Sequence, residues 1–205
     1  MLGIRHSTDS VRVRIVLTAM ENTSRDLTGG VPLGAADARI HGPTRPGSPK
    51  RPPKRWVKVC VLERHGRNGN VGRGFVKGFG LKRGALASSV GHDSHNLCVL
   101  GASDEDMALA VNRVIELGGG FVAVCDGQVT ADLPLPIAGL MSGGSAEMVG
   151  PAVATLRHAV RAMGCPLAGP PLQLSFLPLP VIPHLYLKIT DRGLVDADRF
   201  ELIDP

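Results

Sequence analysis

The segment LCVLGASDEDMALAVNRVIELGGGFVAVCDGQ, residues 97–128, decides the fold. It opens with the short apolar run Leu97–Leu100, which reads as a buried strand. A helix begins at Ser103. Ser103 and Asp106 have capping-box spacing, with Asp in place of the usual Glu, and Asp104, Glu105 and Asp106 complement the positive end of the helix dipole. Met107, Ala110, Val111, Val114 and Ile115 recur at the spacing of one helical face. The glycines 118–120 stop the helix. Gly120–Cys125 is a second apolar strand, and Asp126-Gly127 is a hairpin turn into a further strand, Gln128–Leu133.

Working outward, Trp56–Leu62 reads as a strand, and Phe75–Phe79 and Ala85–Val90 as short ones within a Gly-rich stretch. Downstream, Leu133-Pro-Leu-Pro136 breaks regular structure. The spacing of Val149, Val153, Leu156, Val160 and Met163 predicts a helix over Ser145–Met163, which Pro151 either starts or bends. Gly164 is its natural stop. Leu172–Leu177 reads as a strand, Pro178–Pro183 as a proline-set loop, and Leu185–Ile189 as a last strand before a charged tail. Near the start, Val11–Leu17 alternates apolar and charged residues, the mark of a half-buried strand, while 18–55 has no sustained period. These elements predict an α+β fold, or α/β with a mixed sheet, with two main helices near 103–118 and 145–163. There is no internal repeat.

With 205 residues the chain can bury a core but is too short for a complete (β/α)₈ barrel of about 250 residues. Aromatics are scarce, with five Phe, one Tyr and one Trp, which argues against a base-stacking surface for single-stranded nucleic acid. The net charge of +5 is unevenly placed. Residues 1–55 hold ten Lys/Arg against four Asp/Glu, and residues 56–205 hold thirteen against fourteen. The basic excess therefore belongs to a poorly patterned N-terminal segment, 1–55, with a Pro-rich basic loop at 43–55, and the 56–205 domain is near neutral. Nucleic acid is an unlikely partner on this distribution, although the loop leaves RNA or an acidic partner open. Cys60, Cys98, Cys125 and Cys165 are scattered, without a CxxC pair, as expected of small buried hydrophobes in a reduced compartment. No apolar run reaches the length of a membrane span, so the expected location is cytoplasmic and no membrane partner is expected.

The densest chemistry is Gly91-His-Asp-Ser-His-Asn96 between apolar strands. His92 and His95 could share a metal or act as acid and base, with Asp93 or Asn96 orienting a ring nitrogen. The same residues could equally form a polar turn that satisfies its own backbone. Two ligands at HxxH spacing are too few for a zinc or di-metal site. Glu63-Arg64-His65 follows a strand directly and either positions a substrate or neighbouring domain or forms a surface ion pair. The glycines between Gly66 and Gly84 lack the GK[ST] ending of a phosphate loop, and Ser94 is not in a GxSxG elbow.

Several long stretches, in order, resemble the C-terminal region of bacterial adenine deaminase. They are Val61-Leu-Glu-Arg-His65, Gly72-Arg-Gly-Phe-Val-Lys-Gly-Phe-Gly-Leu81, Gly91–Asn96, Asn112-Arg-Val-Ile-Glu-Leu-Gly-Gly-Gly120, Leu133-Pro-Leu-Pro-Ile-Ala-Gly-Leu-Met-Ser142 and Leu174-Ser-Phe-Leu-Pro-Leu-Pro-Val-Ile-Pro183. The likeness runs from about Trp56 to Glu201, and the 43–55 insert is unlike the family. The resemblance implies a metal-dependent amidohydrolase that converts adenine and water to hypoxanthine and ammonia in purine metabolism. It also implies a divalent metal, manganese or iron, held by a barrel whose first strand carries an HxH pair. This sequence has no HxH: its histidines are at 6, 41, 65, 92, 95, 158 and 184. The resemblance thus covers the accessory region. It implies a chain that works with a separate amidohydrolase barrel or survives as a fragment, with His92, Asp93, His95 and Asn96 facing the barrel mouth. A stand-alone purine or nucleotide-binding module and an RNA- or partner-binding protein are the other readings. Separation from a barrel also predicts an exposed apolar patch or self-association.

Overall fold

A computed structural model describes residues 39–41, 56–181 and 187–203. The strand expected at Val11–Leu17, the loop 43–55 and His6 and His184 lie outside the described residues. The strands are β1 (Arg39–His41), β2 (Trp56–Leu62), β3 (Val71–Lys77), β4 (Ala85–Ser88), β5 (Leu97–Gly101), β6 (Gly120–Cys125), β7 (Gln128–Pro134), β8 (Leu187–Thr190), β9 (Gly193–Asp196) and β10 (Glu201–Leu202). The helices are α1 (Asp104–Glu116), α2 (Ala146–Ala162) and α3 (Pro170–Ser175). One seven-stranded sheet has the order β1-β3-β2-β5-β4-β6-β7, and β10-β9-β8 make a second, three-stranded sheet. The pairings among the described strands are antiparallel, so the fold is α+β.

Strand periodicity divides the core in two. Along β5, Leu97 and Val99 face α1, while Cys98 and Leu100 face the other way. Ala85 and Ala87 of β4 and Val122 and Val124 of β6 also lie under α1, against Met107, Ala110, Val111 and Val114. The small alanines let the helix approach the sheet closely. On the opposite face Val57, Val59 and Val61 of β2 and Leu86 of β4 pack against Leu156 and Val160 of α2, Leu174 of α3 and Ile189 of β8. Covering both faces explains why these strands read as near-continuous apolar runs. Each large side chain so buried contributes roughly 1.5–3 kcal/mol.

Helix α1 forms as expected: the Ser103 hydroxyl accepts from the Asp106 N–H at 3.2 Å. The reciprocal half of the capping box is absent. The Asp106 carboxylate instead accepts from Gly127 N at 2.8 Å and ties the helix start to the β6–β7 turn. Helix α2 starts at Ala146, so Pro151 lies inside it and cannot donate to the Glu147 carbonyl one turn earlier.

Three expectations are corrected. Leu172–Leu177 is not a strand: Pro170 and Pro171 occupy the first turn of α3, where a missing N–H costs nothing, and Leu174 and Leu177 bury one side of it. The strand expected over Leu185–Ile189 is not the last: Gly193, at φ +122°, helps turn β8 back into β9 and the charged tail continues to β10. Strand β3 begins at Val71, well before Phe75. Its glycines serve close packing: a Cβ on Gly72 would lie 1.7 Å from the Thr190 carbonyl oxygen of β8. No helix among the described residues is long and apolar enough to cross a membrane.

Candidate functional site

The antiparallel register gathers the sequence-predicted residues at one end of the large sheet. Leu62 pairs with Val71 and Leu97, Ser88 with Cys98 and Phe121, and Gly120 with Pro134. The loops that leave this end are therefore 63–70, 89–96 and 135–145, and they carry Glu63-Arg64-His65 and the His92–Asn96 segment.

Within that segment the His92 and His95 rings stand edge to face, with centroids 5.5 Å apart. The other neighbour of His92 is the Phe176 ring at 5.4 Å, and its backbone N–H donates to the Ser175 carbonyl at 2.9 Å. His95 takes a left-handed backbone conformation, φ +51°, which a non-glycine residue adopts only when its surroundings hold it there. Those surroundings are visible. Its N–H donates to Gly91 O at 2.6 Å, and its carbonyl accepts from Nε of Arg64. Burial, followed by the neighbouring His92 and the Arg64 guanidinium, lowers the His95 pKa. His95 Nδ1 is buried and makes no hydrogen bond.

Arg64 is the organiser of this end. Besides His95 O, it donates to the Ala138 carbonyl at 2.9 Å. Its guanidinium lies against Gly139, where a Cβ would come within 2.9 Å of it, so only glycine fits at that φ of +76°. Ser89 supports the same loop by donating to Gly139 O at 2.6 Å. Glu63, which might have paired with Arg64, turns back on its own loop and accepts from the N–H groups of His65, Arg67, Asn68 and Gly69. Burial would raise its pKa, but these four donors outweigh it and hold the carboxyl below the usual range. His65, exposed, contacts the Ser94 carbonyl through Nε2 at 2.9 Å.

Asp93 acts on His95 through its charge, which works against the lowering of the His95 pKa, and the Asn96 side chain turns elsewhere. Asp93 and Ser94 line an open groove of about 310 Å³ shared with Pro178, Asp191 and Phe200. The Asn96 side chain is 3% exposed and donates to Asp191 Oδ1 at 3.1 Å, which fastens the segment to the β8–β9 turn. Sequence reading missed Asp191, Ser89, Gly139 and Phe176, because each acts through a partner remote in sequence. It also missed Lys188, 1% exposed in β8, whose Nζ donates to Phe176 O at 3.0 Å and whose pKa burial lowers to about 8. As a test for a metal, no group of three or more His, Cys, Asp or Glu converges among the described residues. His92 and His95 alone do not make a catalytic metal centre, which takes about three protein ligands.

Against this geometry stand the comparisons with known proteins. The family model for the adenine deaminase C-terminal domain matches residues 40–201. An adenine deaminase of Brucella abortus (strain 2308) is 63% identical over 147 residues, which is 72% of this chain and 25% of the relative. An adenine deaminase of Methylobacterium nodulans is 65% identical over 147 residues, 72% of this chain and 26% of the relative. Adenine deaminase 1 of Rhizobium meliloti (strain 1021) is 63% identical over the same length. The chain thus spans about a quarter of the length of the curated relatives it matches.

Proposed function

The chain belongs to the adenine deaminase C-terminal domain family, and on that premise we propose that it is the accessory part of an adenine deaminase, acting with an amidohydrolase barrel in the conversion of adenine and water to hypoxanthine and ammonia. The barrel would hold the divalent metal, manganese or iron. This chain would close the purine site with the end of its sheet that carries His92 and His95. The observation that carries the reading is that pair. Two imidazoles 5.5 Å apart sit on a segment fixed from below by Arg64 and Asn96. Groups held in this way can hydrogen-bond a substrate without first being ordered, which is how a rigid second layer supports a site. The lowered pKa of His95 favours the neutral imidazole, the form that can accept a proton or a hydrogen bond. Four free cysteines support a reducing, cytoplasmic setting.

The test is adenine turnover, followed as ammonia release in the presence of manganese. The purified chain alone is expected to be inactive. A chimera in which residues 39–205 replace the matching C-terminal quarter of the Brucella abortus relative is expected to be active. His92→Ala and His95→Ala are expected to lower its turnover by roughly 10²–10⁴-fold, the usual scale for a positioned acid–base group. Turnover by the isolated chain, or full activity in both variants, would defeat the proposal.

A further inference from the structure

On the reading that this chain completes an adenine deaminase, we propose that residues 137–148 are the anchor by which it docks on the catalytic polypeptide. Ile137, Met141 and Met148 are 47%, 57% and 71% exposed, at the same end of the sheet as His92 and His95. They lie close together: a backbone bridge sets Met141 beside Ile137, Gly143 lies against Ile137 Cδ1, and its neighbour Gly144 lies against the Met148 side chain. Large apolar side chains grouped in this way mark an interaction site, whereas single ones do not.

The loop that presents them is built to be rigid. Ile137 and Met141 close it with a backbone bridge, and Ala138 and Gly139 both take positive φ. Arg64 and Ser89 hold its two central carbonyls. An apolar surface ordered in advance loses little conformational freedom when it binds. The chain continues from this tip into α2, whose apolar stripe is incomplete. Leu156 and Val160 are buried in the core, whereas Val149 and Val153, nearer the tip, are only partly buried.

Two observations identify the occupant. The matched relatives carry roughly three quarters of their length outside the region this chain matches, so a large polypeptide is available to cover the tip. Arg64 bonds both Ala138 O in the tip and His95 O in the site, so a partner seated on the tip would also set the position of the histidines. The methionines suit an adaptable apolar contact, and such residues are enriched at interface centres.

The experiment is methionine oxidation by dilute peroxide, read residue by residue by mass spectrometry, on the isolated chain and on the chimera described above. In the isolated chain Met141 and Met148 are expected to oxidise readily, and Met107 and Met163, buried in the core, slowly. In the chimera Met141 and Met148 are expected to slow at least tenfold. Unchanged oxidation there, with Met107 still protected, overturns the proposal. If Met107 also reacts, the chimera has not folded. Hydrogen exchange on the intact Brucella abortus relative then decides: fast exchange across the segment matching 137–148 overturns the anchor, and slow exchange supports it. Protection that grows with concentration in the isolated chain would make the occupant a second copy and overturn the assignment as stated. Protected methionines in a chimera that turns over no adenine would leave the anchor standing and remove the functional reading beneath it. Turnover with exposed methionines would do the reverse.

Discussion

The two faces of the seven-stranded sheet are finished to different degrees. The face under α1 is covered by one helix, started by a serine cap, stapled to the β6–β7 turn through Asp106, and packed over a floor of Ala, Val and Cys. The other face is assembled from α2, α3 and the β8–β10 sheet. It includes a buried lysine, and at one end it leaves Ile137, Met141 and Met148 exposed. The first face is a local structure that the chain completes alone. The second draws on segments far apart in sequence and ends in exposed apolar side chains.

Truncating the finished face should be the most damaging change. Met107 is 0% exposed at the centre of the α1 contact, and Met107→Ala is expected to cost about 2–5 kcal/mol in urea unfolding. A loss below about 1 kcal/mol would mean that α1 is not tightly docked.

On the other face the expected sign reverses. Burial lowers the Lys188 pKa from 10.5 to about 8 in the folded chain. Below about pH 8 the folded and unfolded chains both hold the proton, so the folded chain bears the whole cost of burying the charge. Between about 8 and 10.5 the unfolded chain holds more proton, and stability rises with pH. At about 1.4 kcal/mol per unit the cost is roughly 3 kcal/mol, and the bond to Phe176 O returns about 1. Lys188→Met should therefore stabilise the chain by about 2 kcal/mol at pH 7, and the difference between variant and wild type should shrink as pH rises from about 8 to 10. A constant difference across that range would break the assignment.

The smallest effect separates the two long helices. Ser103→Ala removes a cap bond and should cost about 1 kcal/mol, while Ser145→Ala, at the start of α2 where no side-chain cap bond forms, should cost a few tenths at most. Equal losses in thermal unfolding would erase the contrast.

Sequence legibility followed the same division. Strands β2, β5 and β6, helix α1 and the Asp126-Gly127 hairpin were readable because period, cap and turn residues all agree within a few positions. Helix α3 was misread because six residues of mixed Leu and Pro carry too little period to separate helix from strand. The β9 and β10 strands were missed because their charged residues hide a pairing that only the turn at Gly193 establishes. The histidine pair was legible as a cluster. Its support was not: Arg64 reaches Ala138, Ser89 reaches Gly139 and Asn96 reaches Asp191, contacts that no local pattern encodes.

The Asn96–Asp191 bond also bears on the order in which the protein is completed during synthesis. Ninety-five positions separate its two ends. While the ribosome is still making the last strands, the large sheet and α1 already have all their residues. The histidine segment does not yet have the turn that fastens it. A nascent or C-terminally shortened chain would therefore carry most of its regular structure while the histidine segment still lacked one of its fastenings, so the last of them is acquired only when the final turn arrives.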